Sequence, residues 1–368
     1  MIYRRLSAVV FSASAFFVAF VILGVPAQAK VVDVFEVKGV AVDATADAAA
    51  AARDQAVAEG EVAAFKRLLE RLVIRSDYRR LPDFTREKVD SYLKDFSVAE
   101  EKTSQVRYLA KLDFRFKGDE VRRLLIDFAV SFAETPSKPV LVLPVFETAG
   151  TRLLFDDPNP WRDAWAARSL RDSLVPTLLP TGDLRDIAAI GGEQALAGDR
   201  QRLNAVAARY GAGDTLVAHA IQRMDERGRP ALEVFVTRYG AVTEAKTVTE
   251  LFPSVDGESF SGLMARAALE LTLRVEDNWK LDNRLHFGQR GVVAAIVRIG
   301  GLKDWLAVRQ RLDGVAVINS VDLVLLSRDE ARINIHYIGE PEQLALALEQ
   351  KDIALLREGD EWILSLAR

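Results

Sequence analysis

Between residues 46 and 74 the apolar positions recur at intervals of three and four. Val62, Phe65, Leu68, Leu69, Leu72 and Val73 make one stripe, while Glu61, Lys66, Arg67, Glu70 and Arg71 fill the other side. That period predicts one long helix with its charged side toward water, about 43 Å long at 1.5 Å per residue. Before it, "VVDVFEVKGVAV" (31–42) alternates in part like a strand. After it, "QVRYLAKLDFRFKG" (105–118) has a period of two: Val106, Tyr108, Ala110, Leu112, Phe114 and Phe116 alternate with polar partners, as a half-buried strand requires. "DEVRRLLIDFAVSF" (119–132) reads as a closing helix. Residues 31–133 are thus predicted to form an α+β module, and "ETPSKP" (134–139) to be a linker.

The pattern then changes. "VLVLPVF" (140–146) is apolar without interruption, as expected of a strand buried on both faces. Helices are predicted at 160–174, 199–210 and 258–276, and strands at 214–224, 231–239 and 244–252. This order suggests a central α/β layer domain over 140–285. Residues 288–368 read strand, helix, strand twice, with a terminal hairpin; Ile299-Gly300 and Ile338-Gly339 end the two leading strands. Two copies are too few for a solenoid, and a ferredoxin-like β-α-β-β-α-β domain fits. The fold class expected is therefore multi-domain, α/β and α+β.

Composition locates the chain more than it names an activity. Arg4 and Arg5 precede a run over 6–24 that is nearly all apolar, followed by Pro26 and Ala27-Gln28-Ala29. This is the pattern of a signal peptide cut after Ala29, which makes the expected location periplasmic. An uncleaved inner-membrane anchor, with peripheral membrane contact, is the competing reading, since the run could nearly span a bilayer. Leu6-Ser7-Ala8 fits a twin-arginine signal poorly. Loss of Arg4 and Arg5 would take the formal charge from −4 to about −6, which argues against a nucleic-acid partner. Cysteine is absent, which excludes disulfides, thiolate metal sites and a lipidated cysteine.

Candidate chemistry is sparse. Asn159 is placed to cap a helix and Pro160 suits its first turn. Trp161 and Trp165 then lie one turn apart, and their side continues to Arg168 and Asp172. Ala166, Ala167, Leu170 and Leu174 lie opposite. The indoles are therefore expected away from the main core face: either packed on a neighbouring loop or domain, or exposed as an aromatic platform for a partner or a glycan ring. In "PTGDLRD" (180–186), Gly182 makes a turn before Asp183 and Asp186. Paired carboxylates can do acid–base work or hold a hard cation, but a loop with a helix cap explains them more simply. Ser91-Tyr92-Leu93-Lys94 matches S-x-x-K without its companion elements. His219, His286 and His336 have no metal-ligand spacing, and no phosphate-binding, dinucleotide or nucleophile-elbow motif is present. No cofactor, metal or catalytic residue is expected. On the last domain, Arg332, Asn334 and His336 share one sheet face with Ser320 and Asp322. That face resembles, in type only, that of peptidoglycan-binding repeat domains, and it lacks the aromatics of an RNA-binding sheet.

"VFEVKGVAVDATADAAAAARDQAVAEG" (34–60), "PVLVLPV" (139–145), the Trp161/Trp165 pair and "LLPTGDLRD" (178–186) together resemble a proteobacterial envelope family, domain of unknown function 2066. The resemblance spans most of 31–285 and implies no known activity, cofactor or partner. The middle region is more weakly similar to penicillin-binding-protein activators and curli secretion subunits, whose lipidated cysteine this chain lacks. Three functions follow as expectations. The first is a non-enzymatic envelope accessory protein that binds another periplasmic protein. The second is a peptidoglycan binder acting through the last sheet. The third is a hydrolase using carboxylates near Asp183.

Overall fold

The computed structural model describes residues 33–168, 172–240, 245–284 and 290–366. The expected leader with its cleavage after Ala29, together with Leu170 and His286, lies outside them. The architecture is mixed α/β with three separate sheets.

In the first module β1 (Glu36–Thr45) leads into α1 (Ala49–Leu72), a 3-10 turn (Arg75–Arg80) and α2 (Arg86–Asp90). Then come β2 (Leu93–Thr103), β3 (Arg107–Phe116) and α3 (Gly118–Asp127). The sheet is antiparallel in the order β1-β3-β2. Tyr108, Ala110, Leu112, Phe114 and Phe116 are buried under α1, as the alternation requires. The helix approaches the sheet closely at Gly60, where a Cβ would come within 2.7 Å of Val42 Cγ1. Phe65 anchors the contact, with ring centroids of Phe84, Tyr92 and Phe116 at 4.9, 5.1 and 5.2 Å. Two residues expected on the watery side of α1, Glu61 and Arg71, are instead buried. Glu61 lies near Arg86 and Asp90 of α2, and Arg71 is covered by the chain at Asp172. β2 is exposed along nearly its whole length.

The segment 134–139 joins the modules as a buried joint rather than a free linker. Glu134 is fully buried and receives both prongs of Arg122 at 2.8 Å. Thr135 O accepts from Trp279 Nε1 at 2.8 Å. One hydrophobic core consequently runs from α1 and β3 into the central module.

The central module consists of β4 (Val140–Thr148), β5 (Thr151–Leu153), α4 (Pro160–Ala166), β6 (Thr177–Leu178), α5 (Leu184–Ala189), α6 (Gly192–Leu196), α7 (Arg200–Arg209), β7 (Asp214–Met224), β8 (Pro230–Tyr239), β9 (Lys246–Pro253) and α8 (Phe260–Asp282). Its sheet runs β5-β4-β7-β8-β9, with β6 paired to β4. β4 lies parallel to β7 and is buried on both faces. Val140, Val142 and Phe146 pack on the α4/α8 side, and Leu141, Leu143 and Val145 on the side of α6 and α7. The helix expected over 160–174 ends at Ala166.

The last module runs β10 (Arg290–Arg298), α9 (Leu302–Leu312), β11 (Ile318–Leu326), β12 (Glu330–Ile338), α10 (Pro341–Glu349), β13 (Ile353–Glu358) and β14 (Glu361–Leu366). The order of its mixed sheet is β11-β12-β10-β14-β13. Relative to a four-stranded β-α-β-β-α-β sheet, β14 has inserted parallel to β10 and moved β13 to the edge. α9 and α10 pack on the same face, through Trp305, Val308, Leu344 and Leu348. Lys138 reaches this module, its N–H donating to Gln350 at 2.8 Å and its ammonium pairing with Asp352 at 2.6 Å. No helix among the described residues is long and apolar enough to cross a membrane.

Candidate functional site

The tryptophan helix is built as its sequence suggests but faces the other way. Asn159 caps α4, its side-chain oxygen accepting from Arg162 N at 3.1 Å, and Pro160 occupies the first turn. Trp161 and Trp165 are 0% and 1% exposed, so they form no platform. Trp161 Nε1 donates to Ala218 O of β7 at 2.9 Å, and the two rings meet edge to face, centroids 5.7 Å apart. Ala166 and Ala167, expected toward the core, are exposed. The reason is area: two indoles remove far more apolar surface from water than two alanines, and α4 is oriented by that burial. Arg168 caps the pair from outside. Its guanidinium lies 4.2 Å from the Trp165 ring centroid, donates to Trp165 O at 2.8 Å and contacts Thr272 Oγ1. Burial lowers its pKa to about 10.

Asp172, grouped with Arg168 by spacing, is drawn elsewhere. Its carboxylate meets Arg71 at 3.0 Å. Arg71 also donates to Val34 O at 2.6 Å, Glu36 O at 2.8 Å and Asp172 O at 3.1 Å. Nearby, the fully buried Lys280 donates to Glu70 O at 2.7 Å and Val73 O at 3.0 Å, and Arg75 grips Glu270 at 2.9 Å and Asp277 at 2.5 Å. Arg71, Arg75, Asp172, Asp277 and Lys280 line a cleft of about 560 Å³ between α1 and α8. Sequence reading missed it, although one signal was present: Glu276 and Lys280 continue the stripe of Met264 and Ala268 at intervals of four. Because Arg71, Arg75 and Lys280 are all engaged within the protein, the cleft acts as a staple that ties α8 and the chain at Asp172 to α1. Burial lowers the pKa of Arg71 against the pull of Asp172, and that of Lys280 against Glu276 and Asp277.

The "PTGDLRD" loop is also internally satisfied. Gly182 has φ +78°, a left-handed conformation natural to glycine. Asp183 caps α5, accepting from Arg185 N and Asp186 N at 2.9 and 3.0 Å. Asp186 is fully buried. It accepts from Tyr210 OH at 2.7 Å and Gly182 N at 2.8 Å, and pairs with Arg209. Arg209 and the cap bonds hold Asp183 well below the usual carboxylate range, which suits an ion-pair anchor and is the opposite of what a general acid needs.

His219, expected in the core, is half buried and pairs with Glu147 at 3.1 Å. Burial lowers its pKa against that carboxylate.

The free face of the last sheet brings the remaining candidates together. Register places Val292, His336 and Ser320 in one row across β10, β12 and β11, then Ala294, Asn334 and Asp322, then Ile296, Arg332 and Leu325. His336 Nε2 and Asp322 Oδ2 are 2.9 Å apart, and Arg332 pairs with Glu330 at 2.9 Å. An apolar ridge on β10 thus runs beside a hydrogen-bonding ridge on β12, and α9 and α10 cover the opposite face. Val292 is 58% exposed; Leu356 of β13, also on this face, is exposed as well.

No protein-family model matches this chain, and comparison with curated proteins finds no match either.

Proposed function

We propose that the protein is a non-enzymatic accessory of the cell envelope that docks another envelope protein on the free face of its C-terminal sheet. The carrying observation is that face, where exposed Val292 and Ala294 and half-buried Ile296 lie against Arg332, Asn334 and His336, with no helix over them among the described residues. Apolar area flanked by hydrogen-bonding groups is the composition of protein interfaces. A sugar-binding face would present an aromatic ring for stacking, and here Trp305 and Tyr337 are buried on the far side. Export to the periplasm rests on the basic, apolar and A-x-A leader. The resemblance to the domain of unknown function 2066 family accords with it. We read the C-terminal module as a ferredoxin-like sandwich widened by one strand.

The test is site-specific photo-cross-linking in cells. A cross-linker at Val292 should give a discrete product with a second protein, while one at Leu302 of α9, 63% exposed, should not. Asn334→Arg should abolish the product without changing the melting temperature. Equal labelling from both positions would refute the proposal, and co-sedimentation of the chain with purified sacculi would assign the face to glycan instead.

A further inference from the structure

Arginines drawn into this protein hold carboxylates: Arg71 holds Asp172, Arg122 holds Glu134 and Arg209 holds Asp186. Arg168 departs from this pattern. It is half-buried, and among the described residues no carboxylate lies within 4 Å of it. Its Nε donates to Trp165 O and its Nη1 to Thr177 Oγ1 and Thr272 Oγ1. A guanidinium carries five N–H donors, and the two on Nη2 meet no acceptor among the described residues. Arg168 lines a cavity of about 200 Å³ between α8 and the chain that leads from α4 into β6. The walls are mainly apolar, from Val175, Pro176, Leu178, Leu269 and Leu273, and Glu276 also reaches them. Leu269, Thr272 and Leu273 share one side of α8 because residues three and four apart are neighbours on a helix. The opposite wall is fixed by Leu174 O and Pro176 O, which accept from Ser137 N at 2.7 Å and Val140 N at 2.8 Å. The cavity is therefore preformed.

We infer that this cavity binds a small aliphatic monocarboxylate, with the carboxylate on Arg168 and the chain against Leu178, Leu269 and Leu273. The charge follows from the arginine. A carboxylate takes two parallel N–H bonds from a guanidinium, and such charge-assisted bonds are roughly twice as strong as neutral ones. Burial depresses the pKa of Arg168 to about 10 against the pull of Glu276, so an entering anion meets a cation that the protein compensates poorly. The size follows from the volume. Sites for drug-sized ligands run to about 300–1,000 Å³, and this smaller one suits an acid of about five or six carbons. The site lies in the central module and is independent of the docking face.

The test is calorimetric titration of the full chain with 4-methylpentanoate. Saturable binding of one molecule per chain is expected. The matching amide, 4-methylpentanamide, keeps the shape and loses the charge, and it should bind about tenfold more weakly or worse. Acetate, with the charge and no chain, should give no saturable heat. Arg168→Gln should abolish binding, but Arg168 also packs 4.2 Å from the Trp165 ring centroid, so a second variant keeps the fold out of the question. Leu269→Trp retains Arg168 and fills the cavity from α8, where Leu269 is 36% exposed. It should abolish binding and leave the melting temperature of the unliganded protein unchanged. Absence of saturable heat with 4-methylpentanoate overturns the inference. Equal affinity for acid and amide does so too, and binding that survives Leu269→Trp would place the acid elsewhere and overturn it as well.

Discussion

The Arg71 staple lets two contributions be separated by magnitude. Arg71 is 7% exposed and makes three hydrogen bonds to carbonyls and one ion pair. Arg71→Met keeps a stem of similar shape but strands the carbonyls of Val34 and Glu36. Removing one partner from a buried polar contact costs about 1–3 kcal/mol for each group left unpaired, so the expected loss for these two is about 2–6 kcal/mol. The ion pair contributes little of this. The Asp172 side chain is 45% exposed, and exposed pairs give roughly 1 kcal/mol or less. Asp172→Asn should therefore cost at most about 1 kcal/mol, and the double variant should lose about as much as Arg71→Met alone. Urea unfolding of the four proteins, analysed as a double-mutant cycle, measures both numbers. The melting temperature of Arg71→Met should fall by roughly 10 °C. If Asp172→Asn destabilised as much as Arg71→Met, the staple would be an ion pair rather than a carbonyl clamp, and the reasoning would be wrong.

Trp161→Ala should cost about 3–5 kcal/mol, the range for emptying a buried aromatic site, because the ring is wholly buried and hydrogen-bonded to Ala218. A loss below about 0.5 kcal/mol, as for an exposed position, would contradict the burial. Glu61 titrates in the opposite sense to a paired carboxylate: burial and the neighbouring Asp90 raise its pKa from 4.5. A raised acid favours folding below its unfolded value, and the advantage is lost as pH rises through the folded value. Glu61→Gln should thus be more stable than wild type at neutral pH, with the difference shrinking as the pH falls toward the ordinary carboxylate value of 4.5. Urea midpoints across that range test this, and a pH-independent difference would count against it.

Where one side of an element faces the core and the other faces water, or where both sides face the core, the sequence determined the element. α1, β3, β4, β7, α7 and β12 follow from apolar spacing at 3.6, two or one, and alternation alone put Arg332, Asn334 and His336 on one face. Register was needed to set Asp322 beside His336 and to show that Val292 adjoins them. β2 left no periodic trace because it is exposed on both sides, and α5 and α6 are too short to establish a period. For Trp161 and Trp165 the spacing said correctly that they share a side, but the core came to that side. Glu61, Arg71 and Lys280 lie on sides that a local pattern assigns to water or leaves ambiguous; α2, the chain at Asp172 and the end of α1 cover them. β14 reached its place between β10 and β13 by pairing with a strand far earlier in the chain. The physical reason is the same in each case. Periodicity records which residues point together, because that depends on the backbone repeat of one segment. What comes to lie against them depends on packing between segments distant in sequence, and only the tertiary structure decides it.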